Sequence, residues 1–185
     1  MNTTSTLWYN SPAKAWTQSL PIGNGTLGAM VFGSPAHERL ALNHDELWTG
    51  RPKDTVREGA PEVFEKARCL ALEGKLYEAE ELIEQDFLSV WSQAYMPLGD
   101  LELEFSLKGR VKDYRRSLDL EKAVAAVEFT CGQKKYKREY FASYPAKAIG
   151  AKLTCEGGTM DFSVSLTSKL RSNNSIDGGI LYIDG

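Results

Sequence analysis

Along Met160-Asp161-Phe162-Ser163-Val164-Ser165-Leu166-Thr167 apolar and polar side chains alternate without a break. Successive side chains of an extended chain point to opposite faces, so this segment reads as a strand with one face buried and one wet. The same period returns at Ala125, Val127, Phe129 and Cys131, after which Gly132-Gln133-Lys134-Lys135 turns the chain into Tyr136–Tyr144. It returns again at Ile149, Ala151, Leu153 and Cys155, ended by Glu156-Gly157-Gly158. The stretch from Leu7 to about Asn43 also reads as strands and turns. Short strands at close spacing, with little helix between them, favour an antiparallel β-sandwich over a parallel α/β sheet. Val127, Phe129, Leu153, Phe162 and Val164 are the expected core strand residues.

One stretch departs from that period. Val63, Ala67, Leu70 and Ala71 recur at helical spacing, Gly74 interrupts, and Leu76, Ala79, Leu82 and Ile83 resume. The prediction is a helical hairpin inserted at about residues 61–88, with Glu62, Glu65, Glu73, Glu80, Glu81 and Glu84 on solvated faces. The end of the chain, Ile176 to Gly185, reads as a turn and a strand with no partner following. An unpaired apolar strand invites pairing with another copy. The chain is therefore expected to be part of something longer, and on its own to self-associate or to fray at its C-terminus.

Composition excludes several functions. With 22 basic and 25 acidic residues the net charge is −3, too weak a field to favour nucleic acid or an anionic membrane. No apolar run approaches the ~18–20 residues that span a bilayer. The first six residues, Met1-Asn2-Thr3-Thr4-Ser5-Thr6, lack the charged and apolar regions of a secretory signal, which points to the cytoplasm unless a leader has been removed. Cys69, Cys131 and Cys155 have neither the pairing number of a disulfide framework nor a C-x-x-C spacing and read as buried free thiols. The N-x-S/T triplets at Asn2, Asn24 and Asn173 carry weight only in a secreted protein.

The glycine-rich run Leu20-Pro21-Ile22-Gly23-Asn24-Gly25-Thr26-Leu27-Gly28 contains a literal G-x-G-x-x-G, and Asp45 follows at about the distance of a ribose-binding acid. The context is wrong for a nucleotide. A phosphate-cradling loop opens a helix, whereas Ala29-Met30-Val31-Phe32-Gly33 reads as strand. Nor does any V-A-I-K, H-R-D or D-F-G segment of a kinase follow.

The residues best suited to a sugar lie in Leu42-Asn43-His44-Asp45-Glu46-Leu47-Trp48-Thr49-Gly50, with Arg51 after them. Asn43, Asp45, Glu46 and Trp48 are the candidate substrate-binding or domain-interface residues: hydrogen-bonding groups beside an aromatic platform. Adjacent residues of an extended segment face opposite ways, so Asp45 and Glu46 are not expected to converge on one glycosidic bond. The same loop also reads as a polar segment that docks on another domain or caps the next turn. His37 and His44 are the available bases, no G-x-S-x-G elbow occurs, and neither H-x-H nor H-E-x-x-H spacing is present. No metal, no cofactor and no catalytic residue is expected, and His37 reads as an exposed turn residue. Trp8, Trp16, Trp48 and Trp91 could stack on sugars, but read first as core or interface packing.

Taken in order, several runs resemble one family. Leu20–Gly25, Gly28–Gly33 and Leu42–Gly50 with Pro52 look like the opening of glycoside hydrolase family 95, the α-L-fucosidases. Tyr95-Met96-Pro97-Leu98-Gly99-Asp100-Leu101, Tyr114-Arg115-Arg116-Ser117-Leu118-Asp119-Leu120 and Tyr136–Ser143 look like later parts of the same N-terminal domain. The pattern departs at His44, where an acidic residue is more usual, and at Ser117, where a charged one is. The resemblance implies a β-sandwich of the super-sandwich type, followed by a linker, an (α/α)6 barrel and a C-terminal β domain. It implies an inverting hydrolysis in which a barrel glutamate protonates the leaving oxygen and an asparagine-aspartate arrangement activates water. None of those motifs matches a position here, so the expected partners are a fucosylated glycan, met through the full-length enzyme, and the catalytic barrel. An independent carbohydrate-binding or structural β module, and a relative acting on another sugar such as an α-L-galactosidase or a phosphorylase, are the alternatives.

Overall fold

A computed structural model describes residues 5–51, 54–89 and 93–185. Trp91, Pro52 and the Asn2 triplet lie outside the described residues. The chain divides into two compact units, one formed by Met1–Leu47 with Met96–Gly185 and the other by Trp48–Tyr95.

The first unit is antiparallel β. Its strands are β1 (Thr6–Tyr9), β2 (Leu20–Gly23), β3 (Leu27–Val31), β4 (His37–His44), β5 (Gly99–Phe105), β6 (Val111–Asp119), β7 (Val124–Cys131), β8 (Lys134–Ser143), β9 (Ala148–Glu156), β10 (Phe162–Thr167), β11 (Asn173–Asp177) and β12 (Ile180–Asp184). Two five-stranded sheets, in the orders β1-β6-β7-β8-β9 and β10-β5-β4-β3-β2, share one core, and β11-β12 form a separate hairpin. Leu20, Val31, Leu40 and Leu103 from one sheet meet Leu118, Val127, Phe129 and Tyr140 from the other. The expected sandwich is present.

The period-2 pattern is what places these residues. Along β7 buried and half-buried positions alternate through all eight residues, with Ala125, Val127, Phe129 and Cys131 inward. Each fully buried Val or Phe contributes about 1.5–3 kcal/mol. The pattern misleads at β10. Phe162 and Val164 are 42% and 47% exposed because β10 is an edge strand, with β5 as its one ladder partner among the described residues, and Phe162 stacks over Phe105 at 5.2 Å instead of being covered itself. Leu153 is half-buried against the core.

The structure corrects four further readings. Ile180–Asp184 does have a partner, the preceding β11, in register from Asp177↔Ile180 to Asn173↔Asp184, so the premise of an unpaired final strand fails. His37 is on a strand, at the start of β4, with Nδ1 3.3 Å from Glu104 and Nε2 3.9 Å from Glu102. Trp8, Trp16 and Trp48 are all exposed, so the core half of their core-or-interface reading fails. Cys69 is exposed and Cys155 half-buried, leaving Cys131 as the buried thiol.

The second unit is helical where helix was expected. Helix α1 (Ala60–Leu72) follows Gly59 and takes Pro61 in its first turn, where a missing N–H costs nothing. Gly74, at φ +82°, ends it, and α2 (Leu76–Leu82) runs on into a π-helical turn, Ile83–Phe87. Phe64 and Phe87 meet at 5.9 Å, and Arg57 donates to the Gln85 carbonyl.

A polar group that the sequence did not announce joins the two sheets. Glu38 on β4 and Arg138 on β8 are both fully buried, with Arg138 Nη1 3.4 Å from Glu38 Oε2. Glu38 Oε1 accepts the Gly33 N–H at 2.7 Å and the Arg39 N–H at 3.2 Å, while Oε2 accepts the Tyr140 hydroxyl at 3.2 Å. Arg138 also donates to the Ser34 carbonyl at 2.8 Å and to the Pro35 carbonyl, and its guanidinium lies 3.7 Å from the Phe105 ring centroid. Burial pushes the Glu38 carboxyl above its usual range, against the pull of Arg138 and of the N–H and O–H donors. Burial pushes the Tyr114 and Tyr140 phenols up as well.

Gly33 is the backbone joint of this arrangement. It sits at φ +80°, and a Cβ added there would lie 2.7 Å from the Tyr114 hydroxyl, which donates to the Gly33 carbonyl at 2.6 Å. Gly33→Ala is expected to lower stability by about 2–4 kcal/mol, the left-handed penalty and the overpacking together. Urea unfolding monitored by tryptophan fluorescence checks it; a midpoint within error of the parent would refute it.

Candidate functional site

The glycine run is a hairpin connection between β2 and β3. Asn24 Oδ1 accepts the N–H groups of Thr26 at 3.1 Å and Leu27 at 2.8 Å, and its Nδ2 donates to the Ser143 carbonyl at 2.9 Å. Those N–H groups are used within the turn, so they do not form a phosphate cradle. The carboxamide is engaged at both ends, which leaves the Asn24 triplet with a structural role.

Strand pairing brings the resembling runs together. In the β3–β4 register Gly28 lies opposite Asn43 and Leu27 opposite His44. In the β4–β5 register Leu42 lies opposite Gly99 and Leu40 opposite Leu101. The runs Gly23–Gly33, Leu42–Gly50 and Tyr95–Leu101 thus supply three neighbouring strands, and the β4 end carries the candidate residues.

Asn43 is half-buried on β4, whereas Asp45 and Glu46 are exposed in the turn after it. This corrects the extended segment expected there: the Leu47 N–H donates to the His44 carbonyl at 3.2 Å, and the Asp45 N–H to the Thr26 carbonyl at 3.0 Å. His44 Nδ1 accepts the Glu46 N–H at 3.2 Å and lies 3.4 Å from Asp45 Oδ1.

Trp48 begins the second unit. It forms a β-bridge with Tyr95, and the two rings meet edge to face at 4.9 Å and 62°. A backbone bond from Thr49 N–H to the Ala94 carbonyl and a bond from Ala94 N–H to the Thr49 side-chain Oγ1, both 2.9 Å, hold that bridge. Trp48 is 48% exposed. Asn43, Asp45 and Glu46 therefore gather at one end of the first unit, while Trp48 is held by the second.

The segment carries an amide, two exposed carboxyls and an exposed indole. Glycoside hydrolysis needs a general acid whose pKa is held up, beside a second carboxylate. Among the described residues the carboxyl with a raised pKa is Glu38, and it is fully buried. No group of three or more His, Cys, Asp or Glu that could hold a metal occurs among the described residues. Among the described residues, no helix is long and apolar enough to cross a membrane.

Sequence reasoning missed Glu38, Arg138 and Arg116, the last buried on β6. The signal was present in the period: Arg138 falls between Tyr136 and Tyr140 on one strand face, and Glu38 shares a face with Leu40.

Comparison with known proteins bears on the family. Residues 7–185 match the family model described as glycosyl hydrolase family 65, N-terminal domain. The chain is 39% identical over 173 residues to alpha-L-fucosidase 2 of Arabidopsis thaliana, covering 91% of this chain and 20% of that protein. It is 31% identical over 160 residues to a probable alpha-fucosidase A of Aspergillus oryzae, covering 82% of this chain and 22% of that one. A probable alpha-fucosidase A of Aspergillus niger is 29% identical over 189 residues, covering 97% and 24%. The chain thus spans about a fifth to a quarter of the length of these relatives. A match through nearly the whole sandwich and its helical insertion shows that the chain belongs to the family of glycosyl hydrolase N-terminal domains.

Proposed function

We propose that the chain is the non-catalytic N-terminal domain of an inverting α-L-fucosidase of glycoside hydrolase family 95, an enzyme that removes terminal fucose from glycans. The observation that carries this reading is the 39% identity to an alpha-L-fucosidase across 91% of the chain. The ordered runs support it: those from Leu20 to Leu101 pair with one another in one sheet, and Tyr114–Leu120 and Tyr136–Ser143 flank β7 in the other. The partners are the catalytic barrel and, through it, a fucosylated glycan. The matched family model carries the number 65, and that favours a relative acting on another sugar as the second reading.

In this reading the Asn43–Gly50 loop borders the sugar pocket, with Trp48 as the platform, since glycosidase pockets form readily where domains meet. The test is kinetic, in the full-length enzyme with aryl α-L-fucoside and aryl α-L-galactoside. Fucoside turnover above galactoside turnover is expected. Trp48→Ala should lower kcat/KM about tenfold, or about 1.4 kcal/mol, with an unchanged melting temperature, and Trp48→Phe should recover most of the loss. Unaltered kinetics in a folded Trp48→Ala enzyme would remove the loop from the pocket; preference for the galactoside would install the second reading.

A further inference from the structure

A cleft of about 460 Å³ opens between the end of β1 and the segment that follows it, lined by Tyr9, Ser11, Lys14, Thr17, Gln18 and Arg116. Arg116 makes its floor. It lies directly opposite Tyr9 in the β1–β6 register and is 3% exposed. Its Nε donates to the Ser11 carbonyl at 2.8 Å and its Nη1 to the Gln18 carbonyl at 2.7 Å. Its Cζ stands 4.2 Å from the Tyr9 ring centroid. Nη2 has no protein acceptor among the described residues, so a nearly buried guanidinium keeps one donor nitrogen for a ligand.

The rim is equally fixed. The Lys14 N–H donates to Gln18 Oε1 at 2.8 Å, which orients that carboxamide. A 3-10 turn at Trp16–Gln18 presents Thr17 and Gln18, and the Ser19 hydroxyl caps it at the Trp16 carbonyl. Among the described residues two cationic side chains line the cleft and no carboxylate does. Trp8 and Arg115, 5.1 Å apart, belong to the opposite face of the strand pair by alternation and add nothing to it.

We propose that this cleft is a binding subsite for an acidic sugar residue, one bearing a carboxylate such as a uronate. A guanidinium offers the planar, charge-assisted donors that a carboxylate matches best. Lys14 supplies a second positive charge. Tyr9, 43% exposed, gives an apolar surface for the ring, and the Thr17 and Gln18 side chains suit hydroxyl groups. A neutral sugar would leave the Arg116 donor without a charged partner, so the site discriminates by charge. This assignment rests on β1, β6 and the Ser11–Gln18 segment, and it stands whether or not the catalytic partner acts on fucose.

Titration of the 185-residue chain with an oligogalacturonate, with the same oligosaccharide methyl-esterified, and with sodium sulfate tests it, read by backbone amide resonances. The acid form should give saturable shifts at Thr17, Gln18 and Arg116, and the ester should bind at least about tenfold more weakly. Lys14→Gln, a change at an exposed position, should weaken the acid form about three- to tenfold and leave the ester unaffected. Equal affinity for acid and ester, shifts that avoid these residues, the same shifts from sulfate alone, or an indifferent Lys14→Gln variant would each overturn the assignment.

Discussion

Arg138→Met is expected to destabilise the sandwich by about 3–5 kcal/mol, because it strands the Glu38 carboxylate in a dry interior with one countercharge removed. The backbone N–H groups of Gly33 and Arg39 and the Tyr140 hydroxyl would remain on Glu38, but none of them carries charge. The double change Glu38→Leu with Arg138→Met should recover much of that loss, since a buried pair is often no better than well-packed apolar groups. Denaturant unfolding of the single and double variants separates the outcomes; an Arg138→Met variant as stable as the parent would mean the pair is not energetically coupled.

The same pair gives stability a pH dependence of definite sign. The folded-state pKa of Glu38 lies above the ordinary glutamate value of 4.5, so the folded chain holds this proton more tightly than the unfolded one. Its contribution is fully present below the unfolded pKa and is lost as pH rises through the folded pKa. Glu38→Gln removes that downward component, and the Arg138→Met penalty should shrink as acid neutralises Glu38. Parallel stability curves for parent and Glu38→Gln between about pH 4 and 7 would contradict the assignment.

On the proposed function, the isolated chain is expected to hydrolyse an aryl α-L-fucoside at the buffer rate, whereas a full-length enzyme should exceed that rate by a factor of about a million or more. Inversion places an acid and a base on opposite sides of the anomeric carbon, roughly 6.5–9.5 Å apart. Asp45 and Glu46 are exposed neighbours in one turn, and Glu38, the carboxyl whose pKa burial raises, is fully buried and cannot touch a substrate. Turnover by the isolated chain that disappears on Asp45→Ala or Glu46→Ala would move the chemistry into this domain.

What the sequence disclosed followed from period and punctuation. The alternation at Ala125, Val127, Phe129 and Cys131 could be read because β7 has a partner on each side, and its inner face is fully covered. The identical alternation at β10 led to the wrong expectation, since period reports which residues share a face and not whether anything covers it. Gly74 marked the helical break because only a residue tolerant of positive φ ends a helix that way. The Asn43–Gly50 loop was visible as composition, but its turn at Asp45–Glu46 depends on the pairing of β3 with β4, which no local window contains. Glu38 and Arg138 were hidden for a simpler reason. A charged residue within a strand is usually on the wet face, and their contact spans 100 positions.

That span matters to a chain made from one end. The ties between the sheets all reach forward: Gly33 waits for Tyr114, Glu38 for Arg138, and Asn24 for Ser143, at separations of 81, 100 and 119 residues. At about 5–20 residues per second, Glu38 leaves the ribosome roughly 5–20 s before its guanidinium partner exists. During that interval the carboxylate is hydrated, and the inner face of β2–β4 has neither its ion pair nor its facing sheet. Translation of β8 is therefore the event that lets the sandwich close, and until then the apolar face of the early strands is uncovered.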